Sequence, residues 1–223
     1  MRDVAVALAE VRGALAAAAR DAGRDPSTAQ LIAVSKTHPS DRIRLAAAAG
    51  QRDFGENYAQ ELASKQAELS GLDVRWHFIG RIQRNKARWI ASAYRVHALE
   101  GVAQAEALVA RAATGRVAAL VAVNVGEEPQ KTGVLPSELL RTLDALRGVS
   151  GLSVHGLMAL PPVVDAVDAV RPYFMRMAAL REEAEALGHD MSELSMGMSA
   201  DAALAVAYGA TWVRVGTAIF GAR

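Results

Sequence analysis

The 223-residue chain has no cysteine, so disulfides, thiolate metal sites and thiol nucleophiles are excluded outright. It also lacks an excess of either charge: 25 Lys and Arg against 24 Asp and Glu leave a formal net charge of +1. Without a clustered basic face, neither nucleic acid nor an anionic membrane surface is drawn in over a Debye length. The nearest approach to such a face, Arg81, Arg84, Lys86 and Arg88, reads as a solvated helix face or a small-anion contact rather than an RNA site. Long hydrophobic runs are missing as well. The opening segment is apolar on one side, at Val4, Leu8, Val11 and Leu15, but carries Asp3 and Glu10 and has no basic start followed by an apolar stretch. Neither a signal peptide nor a membrane span is expected, no metal site is read, and a reducing cytoplasm fits the composition.

No Pro/Gly/Ser-rich linker divides the chain, and no repeat stands out beyond an alternation of short β-type runs with longer helical ones. Residues 1–223 therefore read as one domain, with residues 1–25 as a helical extension that Gly23 to Pro26 brings to an end. The candidate strands are Leu31 to Val34, Asp53 to Gly55, Val74 to Ile79, Arg95 to Ala98, Val117 to Val125, Leu152 to Leu160, Glu193 to Ser195 and Trp212 to Val215. Helical stretches lie between them, at Asp41 to Ala49, Glu56 to Leu69, Val102 to Ala113, Ser137 to Leu146, Val167 to Leu187 and Ala200 to Tyr208. Eight strands with helical crossovers predict an α/β fold, a single (β/α)8 TIM barrel preceded by an N-terminal helix. The fifth run, VAALVAVNV, is apolar without clean alternation, as a parallel strand covered on both faces should be. The short second and seventh strands carry the least pattern.

In such a barrel the loops after the strands form the active face, so polar residues scattered along the sequence should converge there. After strand one comes Ser35-Lys36-Thr37-His38-Pro39. Apolar neighbours at the strand end would desolvate the Lys36 amine and favour its neutral, nucleophilic form. On this feature alone, a lysine reaching out to solvent is the default reading. Asn57, after strand two, is either a helix cap or a ligand contact. His77 lies within the strand-three pattern and is either catalytic or a satisfied barrel-interior histidine. Asn124 ends strand five ahead of the polar loop 126–133, whose Lys131 could reach an anion or remain solvated. Met158 in strand six is core or ligand cover.

The last two strands lead into Ser195-Met196-Gly197-Met198-Ser199 and Arg214-Val215-Gly216-Thr217. Phosphate cradles in α/β barrels commonly follow strands seven and eight, where glycines admit the backbone and small hydroxyl residues donate. Two Gly/Ser turns at barrel ends would look the same. A lysine after strand one facing a cradle after strands seven and eight suits a phosphorylated aldehyde held at both ends, and pyridoxal 5′-phosphate (PLP) is such a molecule.

Six ordered segments, LIAVSKTHP, DFGENYAQE, WHFIGRIQRNK, VNVGEEPQKTG, GLMALPP and LSMGMSADAALAVAYGATWVRVGTAIFG, together resemble the PLP homeostasis (YggS/PROSC) family, whose barrel is of the alanine racemase N-terminal type. The resemblance runs from about Leu31 to the C-terminus. It implies that Lys36 forms the internal aldimine, that Ser199, Gly216 and Thr217 hold the phosphate, and that Arg214 sits at the pyridine nitrogen. An always-charged donor there disfavours protonating the ring and weakens it as an electron sink. Asn57, His77, Asn124 and Met158 would line the cofactor. Racemases of this fold add a C-terminal domain bearing a catalytic tyrosine. Here the sequence stops at Arg223, and none of Tyr58, Tyr94, Tyr173 and Tyr208 can be placed across the ring. The resulting expectation is a cytoplasmic, monomeric PLP-binding protein that buffers PLP or delivers it to PLP-dependent apoenzymes. Its rivals are a PLP-dependent amino-acid racemase using Lys36 as base and a phosphate-handling Schiff-base aldolase.

Overall fold

A chain that alternates short apolar runs with longer stretches of 3.6-residue period can bury both by wrapping helices around a parallel sheet. The computed structural model, which describes residues 3–221, has this arrangement; residues 1, 2, 222 and 223, which the expected domain includes, lie outside the described residues. Eight parallel strands close into a barrel in chain order. They are β1 (Gln30–Val34), β2 (Asp53–Glu56), β3 (Arg75–Phe78), β4 (Arg95–Leu99), β5 (Val117–Val123), β6 (Leu152–Ala159), β7 (Glu193–Ser195) and β8 (Trp212–Val215). All eight expected strands are therefore present, with ends shifted by no more than two residues. β7 is short because little is asked of it. It pairs with β6 over Glu193, Leu194 and Ser195, and with β8 only at Ser195 opposite Trp212. Closure comes from β1 against β8, where Gln30 to Ala33 face Trp212 to Val215.

The helices form the outer ring: α1 (Val4–Asp21), α2 (Ser40–Ala48), α3 (Ala59–Glu68), α4 (Ala87–Ile90), α5 (Val102–Val109), α6 (Leu139–Arg147), α7 (Arg171–Ala186), α8 (Ala202–Ala207) and α9 (Thr217–Phe220). Asp3 caps α1, its carboxylate accepting the Ala5 N–H at 2.8 Å. The apolar stripe Val4, Leu8 and Leu15 is buried, and the helix packs against α8, α9 and α2. α3 starts three residues later than its pattern suggests, because β2 runs through Glu56, whose side chain is wholly buried. α7 likewise starts at Arg171, with Pro172 in its first turn where a missing N–H is harmless; Val167–Val170 is a 3₁₀ turn. No helix among the described residues is long and apolar enough to cross a membrane.

Candidate functional site

The strand C-termini converge on a cavity of about 320 Å³. Its wall includes Lys36 from the turn after β1, Asn57 after β2, Met158 near the end of β6, Ser199 after β7, and Arg214, Gly216 and Thr217 at the end of β8. Seven of the nine residues expected at the site are thus brought together. Val34, His38, Ile79, Leu160, Met198 and Gly221 complete the wall and were not expected there: apolar strand ends give no chemical signal in a sequence, and His38 reads as a loop residue held by Pro39.

Arg214 is part of the cavity wall and is itself buried. Its Nη1 donates to Ser195 Oγ at 2.8 Å and its Nη2 to the Ala159 carbonyl at 3.3 Å, so β7 and β6 both fix the fork. Burial pushes its pKa down to about 10, which still leaves a full cation at neutral pH. The Arg214 N–H bonds the Gly197 carbonyl at 3.0 Å, joining β8 to the turn that carries Ser199. Gly197 has φ +89°, and a Cβ there would lie 2.5 Å from Ala205 Cβ and 2.9 Å from Val213 Cγ1, so only glycine fits this turn. Asp201 Oδ1 accepts the Met198 N–H at 2.5 Å and closes the same turn. Across the cavity, Asn57 is backed by Gly80, where a Cβ would fall 2.0 Å from the Asn57 carbonyl oxygen. The side-chain Oδ1 of Asn57 is buried and meets no donor.

The other two expected residues are placed elsewhere. His77 is fully buried inside the barrel, its Nε2 2.9 Å from Asp53 Oδ1 and its Nδ1 2.9 Å from His97 Nε2. Asp53 also accepts from Arg75 Nη2 at 2.6 Å. Burial raises the Asp53 pKa, but the hydrogen bonds and charges of His77 and Arg75 outweigh it and hold the carboxyl below its ordinary value. Burial lowers the pKa of both imidazoles, outweighing Asp53 at His77 and acting at His97 together with competition from His77 for a proton and the charges of Arg214 and Arg95. Alternation along β3 explains the miss: His77 does point inward, but its partners Asp53 and Trp212 open β2 and β8, so its ring lies toward the N-terminal ends of those strands and away from the cavity. Asn124 folds its own loop, donating to the Glu128 and Lys131 carbonyls at 2.8 and 3.4 Å and accepting the Glu128 N–H at 3.2 Å. Lys131 is pinned to the Pro161 carbonyl at 2.8 Å and to Glu128. In the basic run, Arg88 stacks over Trp89 at 4.1 Å, while Arg81 and Lys86 line a separate concavity of about 390 Å³ on the far side of Asn57.

The donor set suits a small anion joined to a flat polar ring. Ser199, Thr217 and the opening turn of α9 offer hydroxyls and N–H groups to a phosphate, Arg214 offers a fixed cation, Lys36 an amine, and Asn57 Oδ1 an acceptor that a ring hydroxyl would satisfy. PLP carries each of the matching groups, and the residues present fit it.

Residues 8–223 match the family model described as alanine racemase, N-terminal domain, which sets the class of barrel. A pyridoxal phosphate homeostasis protein of Pseudomonas aeruginosa is 44% identical over 226 residues, covering 100% of this chain and 97% of that protein. The pyridoxal phosphate homeostasis protein of Escherichia coli K12 is 38% identical over 233 residues, with 100% and 98% covered. PipY of Synechococcus elongatus PCC7942, solved with PLP bound, superposes with a TM-score of 0.82 at 39% identity, over 98% of this chain and 100% of that one. At 18% identity and a TM-score of 0.65, alanine racemase from Corynebacterium glutamicum shares the fold, with 96% of this chain matching 61% of that one. The chain belongs to the family of pyridoxal phosphate homeostasis proteins.

Proposed function

We propose that this protein binds PLP in the cavity at the strand C-termini, holds it covalently through Lys36, and serves PLP homeostasis by buffering or delivering the cofactor without efficient turnover. The observation that carries this reading is the meeting of Lys36, Arg214, Ser199, Gly216 and Thr217 in one cavity, from three separate stretches of sequence. When bound, the cofactor supplies an electrophilic aldehyde and a conjugated ring able to accept electron density. Lys36 is the attachment point. Ser199, Gly216 and Thr217 hold the phosphate, as small residues beside backbone N–H groups do. Arg214 would hold the ring nitrogen and, remaining charged at neutral pH, would disfavour its protonation, which suits the site to holding PLP rather than to using it as an electron sink. Asn57 and Met158 line the ring. No tyrosine among the described residues lines the cavity, which supports binding over a racemase that needs a tyrosine opposite its lysine.

The same proposal has the protein working as a cytoplasmic monomer that hands PLP to PLP-dependent apoenzymes; light scattering of the purified protein tests the monomer. For the cofactor, absorbance spectra of wild type and Lys36→Ala are compared with added PLP, before and after borohydride, alongside a racemisation assay on common amino acids. A visible band present in wild type only, fixed by reduction at Lys36 and unaccompanied by turnover, is the expected result. Robust turnover would move the assignment to a racemase. A wild type with no band would leave a phosphate-handling barrel of the Schiff-base aldolase kind.

A further inference from the structure

Lys36 is one residue in a tight turn, and what grips that turn lies outside the cavity. Lys65 on α3 is buried, and its Nζ makes three contacts, one for each donor of an ammonium group. It donates to the Ser35 carbonyl at 2.7 Å, to Glu56 Oε1 at 2.8 Å and to Glu61 Oε1 at 2.7 Å. Glu61 Oε1 in turn accepts the Thr37 N–H at 2.6 Å, and Glu56 Oε1 accepts the Ser35 hydroxyl at 2.6 Å. The Ser35 carbonyl belongs to the peptide group immediately before Lys36, and the Thr37 N–H to the one immediately after it. One ion cluster therefore holds both peptide groups that flank the proposed attachment residue.

The backbone shows what this grip accomplishes. Thr37 has φ +64°, a left-handed conformation that a β-branched residue adopts at a cost. The Glu61 carboxylate meets the Thr37 N–H in that conformation, so the turn closed by the His38 N–H on the Ser35 carbonyl leads into α2 directly after Lys36. Glu61 and Lys65 are four apart on α3, with the acid nearer the N-terminus, the favourable order for a helical pair. Lys65 does not line the cofactor cavity, so any effect it has there is indirect, through the residues its cluster grips.

We propose that Lys65 and Glu61 are positioning residues for Lys36: their ion pair clamps both peptide groups around it and sets the point from which its amine enters the cavity. The proposal rests on the reading of Lys36 as the covalent attachment point. In that attachment the neutral amine nitrogen bonds to the aldehyde carbon and the aldehyde oxygen leaves as water, so no further reactant is needed. A misplaced nitrogen hinders that bond while leaving the phosphate and ring contacts alone.

The test compares two ligands on wild type, Lys65→Met, Lys65→Arg and Glu61→Ala. One ligand is PLP. The other is pyridoxine 5′-phosphate, which has the same ring and phosphate but a hydroxymethyl group in place of the aldehyde and cannot be captured by an amine. The expected result is that Lys65→Met and Glu61→Ala weaken PLP binding by about tenfold, the scale of one charge-assisted hydrogen bond, and lower the yield of borohydride-fixed Lys36. Pyridoxine 5′-phosphate affinity should stay within about twofold, since nothing that holds ring or phosphate has moved, and Lys65→Arg should recover part of the PLP loss. Equal weakening for both ligands, or none for either, overturns the positioning role. Glu61 is the more exposed partner, so Glu61→Ala decides the matter if Lys65→Met fails to fold. A wild type that neither forms a visible band nor prefers PLP to pyridoxine 5′-phosphate overturns the Lys36 reading itself. A wild-type band with unmoved variants overturns only the clamp.

Discussion

Two histidines buried without charge make the stability of this barrel depend on pH in a calculable way. His77 and His97 are both inaccessible to solvent, and burial depresses both pKa values, that of His97 the further. In the unfolded chain each ring titrates near pH 6.5. As pH falls through that value the unfolded state takes up protons that the folded state refuses, so stability is complete above about pH 6.5 and declines below it until the folded pKa is reached. At pH 5.5 a ring that stays neutral when folded has cost about 1.4 kcal/mol relative to pH 7.5. His97, the further depressed of the two, contributes up to that amount and His77 less, so the expected loss is at most about 2.8 kcal/mol. Urea unfolding at pH 7.5 and 5.5 measures it directly. His97→Gln keeps an amide donor for His77 Nδ1 but removes one titrating ring, and should shrink the loss by up to about 1.4 kcal/mol. Contributions from other groups are common to both proteins and cancel in the comparison. A wild-type urea midpoint that does not move between the two pH values, or a His97→Gln variant that loses as much as wild type, refutes the account.

Gly197→Ala forces a Cβ against Ala205 and Val213 at a positive φ; we expect a stability loss of about 1–3 kcal/mol, read by thermal unfolding, and at least roughly tenfold weaker binding of pyridoxine 5′-phosphate by calorimetry as Ser199 is displaced. Arg214→Met replaces a buried cation with an apolar chain of similar length; stability should stay within about 1 kcal/mol or rise, while PLP binding weakens and its absorbance maximum shifts, and an unchanged spectrum would remove Arg214 from the ring. Asn124→Ala strips three hydrogen bonds from the 124–131 loop and should cost about 1–3 kcal/mol in urea unfolding yet leave PLP affinity within about twofold; a large affinity loss would return Asn124 to the cofactor wall.

Which parts of this arrangement were legible in the sequence follows from the range of each interaction. The strands could be read because burial on both faces leaves apolar runs, and even β2 and β7, with little pattern of their own, fell into place once eight crossovers were counted. Lys36, Asn57, Ser199, Arg214, Gly216 and Thr217 could be singled out because barrel topology delivers strand ends to one face whatever their separation in sequence. Helix starts were less visible. Glu56 looks like a first-turn helical acid, yet it ends β2, because its carboxylate is needed by Lys65 and Ser35, partners nine and twenty-one residues away. α9, a single turn, is too short to show a period. His77 was misplaced because alternation says which way a side chain points but not how deep in the barrel it lies. Lys65 gave no sign at all: a lysine on an amphipathic helix reads as solvated until its three acceptors are seen.

The pairing of buried charges sets Arg214 apart from the other buried cations. Three Lys or Arg residues are buried among the described residues: Lys65, Arg95 and Arg214. Lys65 is neutralised by Glu56 and Glu61, and Arg95 by Glu193, as the expense of burying a cation requires. Arg214 has no carboxylate within salt-bridge distance among the described residues; its acceptors are a hydroxyl and a carbonyl, both neutral. Asp201 offsets this burial by its charge without forming a salt bridge, so Arg214 carries a burial penalty less fully compensated than that of Lys65 or Arg95. The penalty falls in the wall of the one cavity that also presents Lys36 and the Ser199–Thr217 hydroxyl pair. A ligand that brings a phosphate and a ring nitrogen lone pair relieves it, and the relief becomes binding energy. On the proposed reading, the same fixed charge at the ring nitrogen would disfavour its protonation and so withhold the electron sink on which turnover depends.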